Sequence, residues 1–286
     1  MPSLIDIRRR IRSVKNTQQI TKAMKMVSAA KLRRAQDRVI AARPYSSLLR
    51  QVLTDVAAAA AADERAGENP LLARRPEQRI LLVLVTGDKG LAGAFNTNLI
   101  KEAQRFFAER AGASVALELI GRKGRDFFRK RGAAISGEHV GLAAKVAYKD
   151  TAAIARKAME MFRDGQTDAV YLLYNEFKSV AAQKLTLERV LPLGLPENSD
   201  PVDFILEQPA AEILNELLPK CVEMEFYRAL LESAAAEHAA RMTAMDAATS
   251  NAADMIERLT LYMNRVRQAS ITKEIIEVVS GAAAAE

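Results

Sequence analysis

Cysteine is almost missing from this 286-residue chain. Cys221 stands alone, which excludes an internal disulfide and any metal site built from several cysteines. Tryptophan is absent and aromatics make up 5% of residues, little for a core built on large rings. Two histidines, His139 and His238, leave small scope for an imidazole-based metal or acid–base centre. No apolar run approaches the roughly 18 residues that cross a bilayer. The opening MPSLIDIRRRIRS lacks the apolar stretch of a secretory signal, and Asp6 argues against a transit peptide. No Ser/His/Asp set, paired-carboxylate motif or metal-ligand spacing occurs. The expectation is therefore no catalytic, cofactor-binding or metal residue, and no cofactor.

What is present is a globular composition, 49% apolar and 27% charged, with a strong charge asymmetry. Residues 1–50 carry 13 Lys/Arg against 2 Asp/Glu, whereas residues 207–286 carry 7 against 13. A basic N-terminus can be a solvated helix face or an arm for nucleic acid or an anionic surface. It can also pair with the acidic end of the same chain.

Residues 3 to about 60 read as one helix. Ser3 suits the N-cap, with Asp6 in the capping-box slot. Leu4, Ile7, Ile11 and Val14 repeat at the three-and-four spacing of a coiled-coil seam. The seam weakens at Gln18 and Thr21, where Ile20, Met24 and Val27 are expected to take over. Pro44 is a candidate kink. Such a helix would be roughly 85 Å long at about 1.5 Å per residue, too long for a compact domain.

The other end mirrors it from about residue 209 to 279. Leu214, Leu217, Cys221, Met224, Arg228 and Leu231 open a seam in alternating threes and fours. It continues through Ala235, His238, Met242, Met245, Thr249, Ala252, Ile256, Leu259, Met263 and Val266. His238 and Cys221 fall in this seam and read as packing residues. After Val266 the register slips, and Ile271, Ile275 and Val278 carry the stripe.

Between the helices the pattern changes. Residues 63–78 are polar with two prolines, a linker. RILLVLV, VALELIG, AVYLLYNEF and QKLTLERVLPL read as strands, with helices after the first, around Phe127–Phe128 and over 151–164. Alternation of this kind predicts a Rossmann-like α/β domain with a mainly parallel sheet. The expected division is an N-terminal helix 1–62, linker 63–78, α/β domain 79–206 and C-terminal helix 207–286.

Glycines 87, 90 and 93 follow the first strand. Their spacing is G-x-x-G-x-x-G, neither the dinucleotide fingerprint nor a Walker A loop. A phosphate could sit at such a helix start, but a tight strand-to-helix turn is the better explanation of the glycines. Gly121-Arg122-Lys123-Gly124 opens a second turn of the same sort.

The chain ends are more specific. IRRRIRSVKNTQQITKAMKMV near the start and RQASITKEIIEVVSGA near the finish resemble the signature stretches of the F-type ATP synthase gamma subunit family. The likeness covers the whole chain. GLAGAFN resembles the family's GLCGGFN, with Ala92 and Ala94 in place of Cys and Gly, so Ala94 must avoid strongly positive φ.

The resemblance implies an antiparallel coiled-coil shaft bearing the α/β domain. It implies a rotor that turns inside a hexamer of alpha and beta subunits, gripping epsilon and the membrane c-ring at its foot. Proton-driven rotation would cycle the catalytic beta subunits, the chain itself being non-catalytic and peripheral on the cytoplasmic face of a bacterial inner membrane. By the same match, Arg267, Gln268, Thr272, Lys273 and Glu274, with Lys22, Met24 and Lys25, would contact beta. Phe204, Leu206 and Glu207 would lie near the c-ring and epsilon. The alternatives are a nucleic-acid-binding protein using the basic helix, against which no aromatics interleave with the basic residues, and a nucleotide-binding enzyme built on the α/β domain.

Overall fold

The structure is a computed structural model that describes residues 4–60, 69–194 and 208–283. Its elements, in order, are α1 (Leu4–Ala60), β1 (Arg79–Val85), α2 (Phe95–Glu109), β2 (Ser114–Ile120), α3 (Arg122–Arg129) and β3 (Ile135–His139). They continue with α4 (Tyr148–Arg163), β4 (Ala169–Phe177), β5 (Gln183–Leu191) and α5 (Ala210–Ala283). Short 3-10 turns occupy Pro70–Leu72 and Leu142–Ala144. The chain divides into two units, Met1–Ser28 with Met242–Glu286, and Ala29–Arg241.

In the first unit the N-terminal part of α1 runs antiparallel to the C-terminal part of α5. Ile7 lies with Leu259 and Tyr262, Thr21 with Thr249, and Lys25 with Asp246, so one series rises as the other falls. Along α5 the covered positions here include 242, 245, 249, 252, 256, 259, 263 and 266, the expected seam. On α1 Leu4, Ile7, Ile11, Val14 and Met24 are covered as expected, but the stripe fails at Ile20 and Val27. The covered positions run through Gln18, Thr21, Lys25 and Ser28 in unbroken threes and fours, while Ile20 and Val27 are 59% and 56% exposed. Two of these polar residues find partners across the seam, while Ser28 donates to the Met24 carbonyl of its own helix. The Thr249 hydroxyl sits 2.8 Å from that of Thr21, and the Lys25 ammonium meets Asp246. Residues 271–280 are all exposed, so the stripe of Ile271, Ile275 and Val278 packs on nothing within the described residues.

The second unit holds a five-stranded sheet in the order β3-β2-β1-β4-β5. The first four strands are parallel, and β5 closes the edge antiparallel to β4. β1 is buried from Ile80 to Val85, as a central strand covered on both faces must be. α4 turns Ala152, Ala155, Met159 and Phe162 inward at helical spacing, and α2 does so with Phe95, Leu99, Ala103 and Phe106. β3 was not foreseen. Its ISGEH sequence has no apolar run, and Gly137 is required because a Cβ there would come within 2.2 Å of a Glu118 oxygen. Pro44 does not end α1, and Pro219 does not end α5.

From 221 to 241, α5 is buried on nearly every side. A helix that only paired with another would be covered along one stripe. Here the sheet domain covers a second face. Arg156 and Tyr148 of α4 bind Glu223, Glu188 of β5 binds Arg228, and Arg228 stacks over the Tyr174 ring of β4.

Candidate functional site

The glycine-rich turn after β1 is where a doubly wound sheet would take a ligand, at the carboxyl ends of strands where the order reverses. The turn is built as expected. Leu91 and Gly93 take positive φ (63° and 56°), and Ala94 sits at −84°, free of the left-handed region. The Asn96 side chain accepts from the Gly87 N–H, and Phe95 opens α2.

The space over the turn is filled by the chain itself. A Cβ on Gly87 would lie 2.8 Å from the Glu237 carboxyl carbon, and Arg241 donates to the Gly90 carbonyl. Glu237 and Arg241 are themselves ion-paired and buried. An acid at this position repels phosphate. The second turn is closed in the same way. Gly121, at φ 96°, stands so near the Thr86 carbonyl that no Cβ fits. The Asp88 carboxylate accepts from the N–H groups of Arg122 and Gly141, so it occupies the helix start an anion would use. Both glycine turns therefore serve packing, and the first docks α5.

Buried charge clusters on the docked face. Arg228 reaches Glu225, Glu188 and Glu232. Burial disfavours its charge, but the glutamates more than offset this and hold the guanidinium proton firmly. Burial pushes the Glu232 carboxyl up, and its Oε2 has no hydrogen-bond partner. At the far edge of the sheet, burial also pushes Glu118 up. Hydrogen bonds from His139 (2.7 Å) and Lys157 (2.8 Å) override it and leave the carboxyl below its usual range. Cys221 is buried and its thiol is pushed up to about 11 by that burial and by Glu225. The described residues include no group of three or more His, Cys, Asp or Glu able to hold a metal. Reading one seam on α5 missed this second buried face, and the available signal was Glu232, Glu237 and Arg241 spaced four and five apart on a helix.

The candidate contact residues all fall in the first unit, except three. Arg267 and Gln268 are exposed, Thr272 bonds back to the Gln268 carbonyl, Lys273 pairs with Glu277 one turn on, and Glu274 is exposed. Lys22 is exposed, Met24 half-buried, and Lys25 engages Asp246 within the chain. The two sets are not brought together. Lys22 lies near the level of Thr249, about 27 Å along the helix from Arg267 at roughly 1.5 Å per residue. Phe204, Leu206 and Glu207 lie outside the described residues.

Fold and site together define a subunit built on two long helices that run in opposite directions, with a doubly wound domain inserted between them and docked onto one of them. The family model described as ATP synthase matches residues 3–285. An ATP synthase gamma chain of Solibacter usitatus (strain Ellin6076) is 79% identical over 286 residues, covering all of both chains. One from Anaeromyxobacter sp. (strain Fw109-5) is 52% identical, covering 99% of each. Among solved structures, a chain of the Euglena gracilis mitochondrial ATP synthase (OSCP/F1/c-ring) gives a TM-score of 0.67 at 19% identity, covering 98% of this chain and 94% of that one. A chain of the Tetrahymena thermophila mitochondrial ATP synthase central stalk/c-ring gives 0.60 at 24%, covering 80% and 99%. These structural likenesses speak to the fold, and the curated relatives speak to kinship. The chain belongs to the ATP synthase gamma chain family.

Proposed function

We infer that this chain is the central rotor shaft of an F-type proton-translocating ATP synthase. It couples rotation of a membrane c-ring to the conformational cycle of catalytic beta subunits. The observation that carries this is kinship along the full length with gamma chains, joined to an antiparallel helix pair whose last exposed turns have no partner among the described residues. The working partners are a hexamer of alpha and beta around the shaft, with epsilon and the c-ring at its foot. The division into an N-terminal shaft helix 1–62, linker 63–78, α/β domain 79–206 and C-terminal shaft helix 207–286 follows this role. So does a peripheral place on the cytoplasmic face of a bacterial inner membrane, and no described helix is long and apolar enough to cross one.

The chain itself does no catalysis in this reading. Filling of the glycine turn by Glu237 and Arg241 supports that, since the nucleotides then belong on alpha and beta. Arg267, Gln268, Thr272, Lys273 and Glu274 would touch a beta subunit, as would Lys22 and Met24, and Lys25 through its Asp246 pair. Phe204, Leu206 and Glu207 would serve the foot. Nothing in the fold or in the relatives above supports the nucleic-acid alternative. The test is co-purification: this chain, tagged and co-expressed with alpha and beta of its own source, should bring both down in a complex that hydrolyses ATP. Recovery of the tagged chain free of both, alongside an intact alpha–beta assembly, would overturn the proposal.

A further inference from the structure

Within the Ala29–Arg241 unit a cavity of about 160 Å³ opens between α1, α5 and the loop after β3. One wall is a single face of α1, where Lys31, Arg34 and Arg38 recur at three- and four-residue steps. Leu231 and His238 of α5 form the opposite wall, and Val146 closes the loop side. Three cations and an imidazole therefore line one small space, and no carboxylate lines it.

Elsewhere on the helix pair some cations are met by acids: Lys25 meets Asp246, Arg50 meets Glu225, and Arg228 is shared among three glutamates. Others, such as Lys22, Arg33 and Arg43, are exposed, as Lys31, Arg34 and Arg38 are, and what distinguishes these three is that they line one cavity. Among the described residues, Lys31, Arg34 and Arg38 make no ion pair. His238 is surrounded by positive charge from both helices, with Arg241 one turn on and Lys31 across the gap. Burial, Arg241 and Lys31 together hold its pKa down at about 4. The Arg241 guanidinium lies 3.3 Å from His238 Nδ1. A guanidinium can only donate, so Nδ1 accepts and Nε2 carries the proton, a donor for an anion.

We propose that this cavity binds inorganic phosphate, held by Lys31, Arg34 and Arg38 with His238 as a further donor. The size fits. About 160 Å³ is some five water volumes at roughly 30 Å³ each, room for one tetrahedral oxyanion of five heavy atoms. Drug-sized ligands occupy pockets of roughly 300–1,000 Å³, so a nucleoside triphosphate would not be enclosed here. The bound ion bridges α1 and α5, relieves repulsion among the cations and tightens the helix pair at that level. The site stands independently of the rotor role, because its test reads the chain itself.

The experiment uses the full chain labelled at histidine, whose two imidazoles give two signals. Inorganic phosphate is added at fixed ionic strength and neutral pH. The His238 signal should shift saturably, its pKa should rise, and the His139 signal should stay in place. Phosphate should raise the melting temperature in parallel. Arg34→Gln with Arg38→Gln should weaken binding at least tenfold, with an unmoved His139 signal showing that the fold persists. Arg33→Gln, an exposed charge outside the cavity, should bind as the parent does. A linear drift without saturation, equal movement of both imidazoles, equal loss in Arg33→Gln, or saturation by ATP but not by phosphate would each overturn the site.

Discussion

Arg228 is half-buried and within reach of three glutamates and a tyrosine ring. Removing this shared partner leaves the glutamates without their charge-assisted hydrogen bonds, at a cost of about 1.5–3 kcal/mol. Arg228→Met should destabilise the chain by that order in urea unfolding. Glu232→Gln should cost under about 1 kcal/mol, because one of its oxygens is already unsatisfied and the change removes a buried charge. Equal losses for the two variants would mean that Arg228 is not the hub. Little of this was legible beforehand. Spacing placed Arg228 in a seam like its neighbours, because its partner Glu188 lies 40 positions away on a strand and a spacing pattern reports nothing of what a second layer brings.

Periodicity did reveal the two long helices and the seam of α5, because a stripe at three-and-four spacing has few other physical explanations. It misplaced the seam of α1 at Ile20 and Val27. Apolarity was followed there, whereas geometry keeps Thr21 and Ser28 inward and lets Thr21 pair with Thr249. Polar pairs of this kind fix register at some loss of stability. Thr21→Val with Thr249→Val should therefore hold or raise the melting temperature while loosening register, read as heterogeneous cross-linking between cysteines placed on the two helices. Ala235 is fully buried where α5 is covered on two sides. Leu there should cost about 1–3 kcal/mol by overpacking, and Gly about 1 kcal/mol by helix propensity. Better tolerance of Leu in thermal melts would show that the helix has more room than its burial implies.

The whole chain carries a pH dependence whose sign follows from His238. Its pKa falls from 6.5 to about 4 on folding, so the unfolded chain takes up the proton first. Its contribution is complete above pH 6.5, declines between about 6.5 and 4, and is flat below. Glu118 is depressed below 4.5, so its contribution is lost only in stronger acid, while Glu232, raised, works in the opposite sense. The difference in stability between the parent and His238→Gln should thus change between pH 7 and 4.5 and hold constant above 7. A difference flat throughout would show that His238 titrates normally. The contact residues proposed at the chain ends rest on resemblance alone, since exposed residues such as Arg267 and Gln268 leave no mark in hydrophobic spacing. Arg267→Ala with Gln268→Ala should leave folding within about 0.5 kcal/mol, as expected of exposed side chains, and lower ATP turnover of the assembled complex. Loss of assembly with normal turnover in what remains would make the pair structural.

Rotation is the centre of the account, and it can be watched. Gly112, at the turn before β2, has open space around it, and the only native thiol, Cys221, is buried with its pKa raised to about 11. A probe on Gly112→Cys would therefore label one place. With the alpha–beta hexamer fixed to a surface and ATP supplied, the probe should turn continuously in one direction, at a rate proportional to ATP hydrolysis. A probe that stays still while the same molecules hydrolyse ATP at full rate would contradict the rotor assignment.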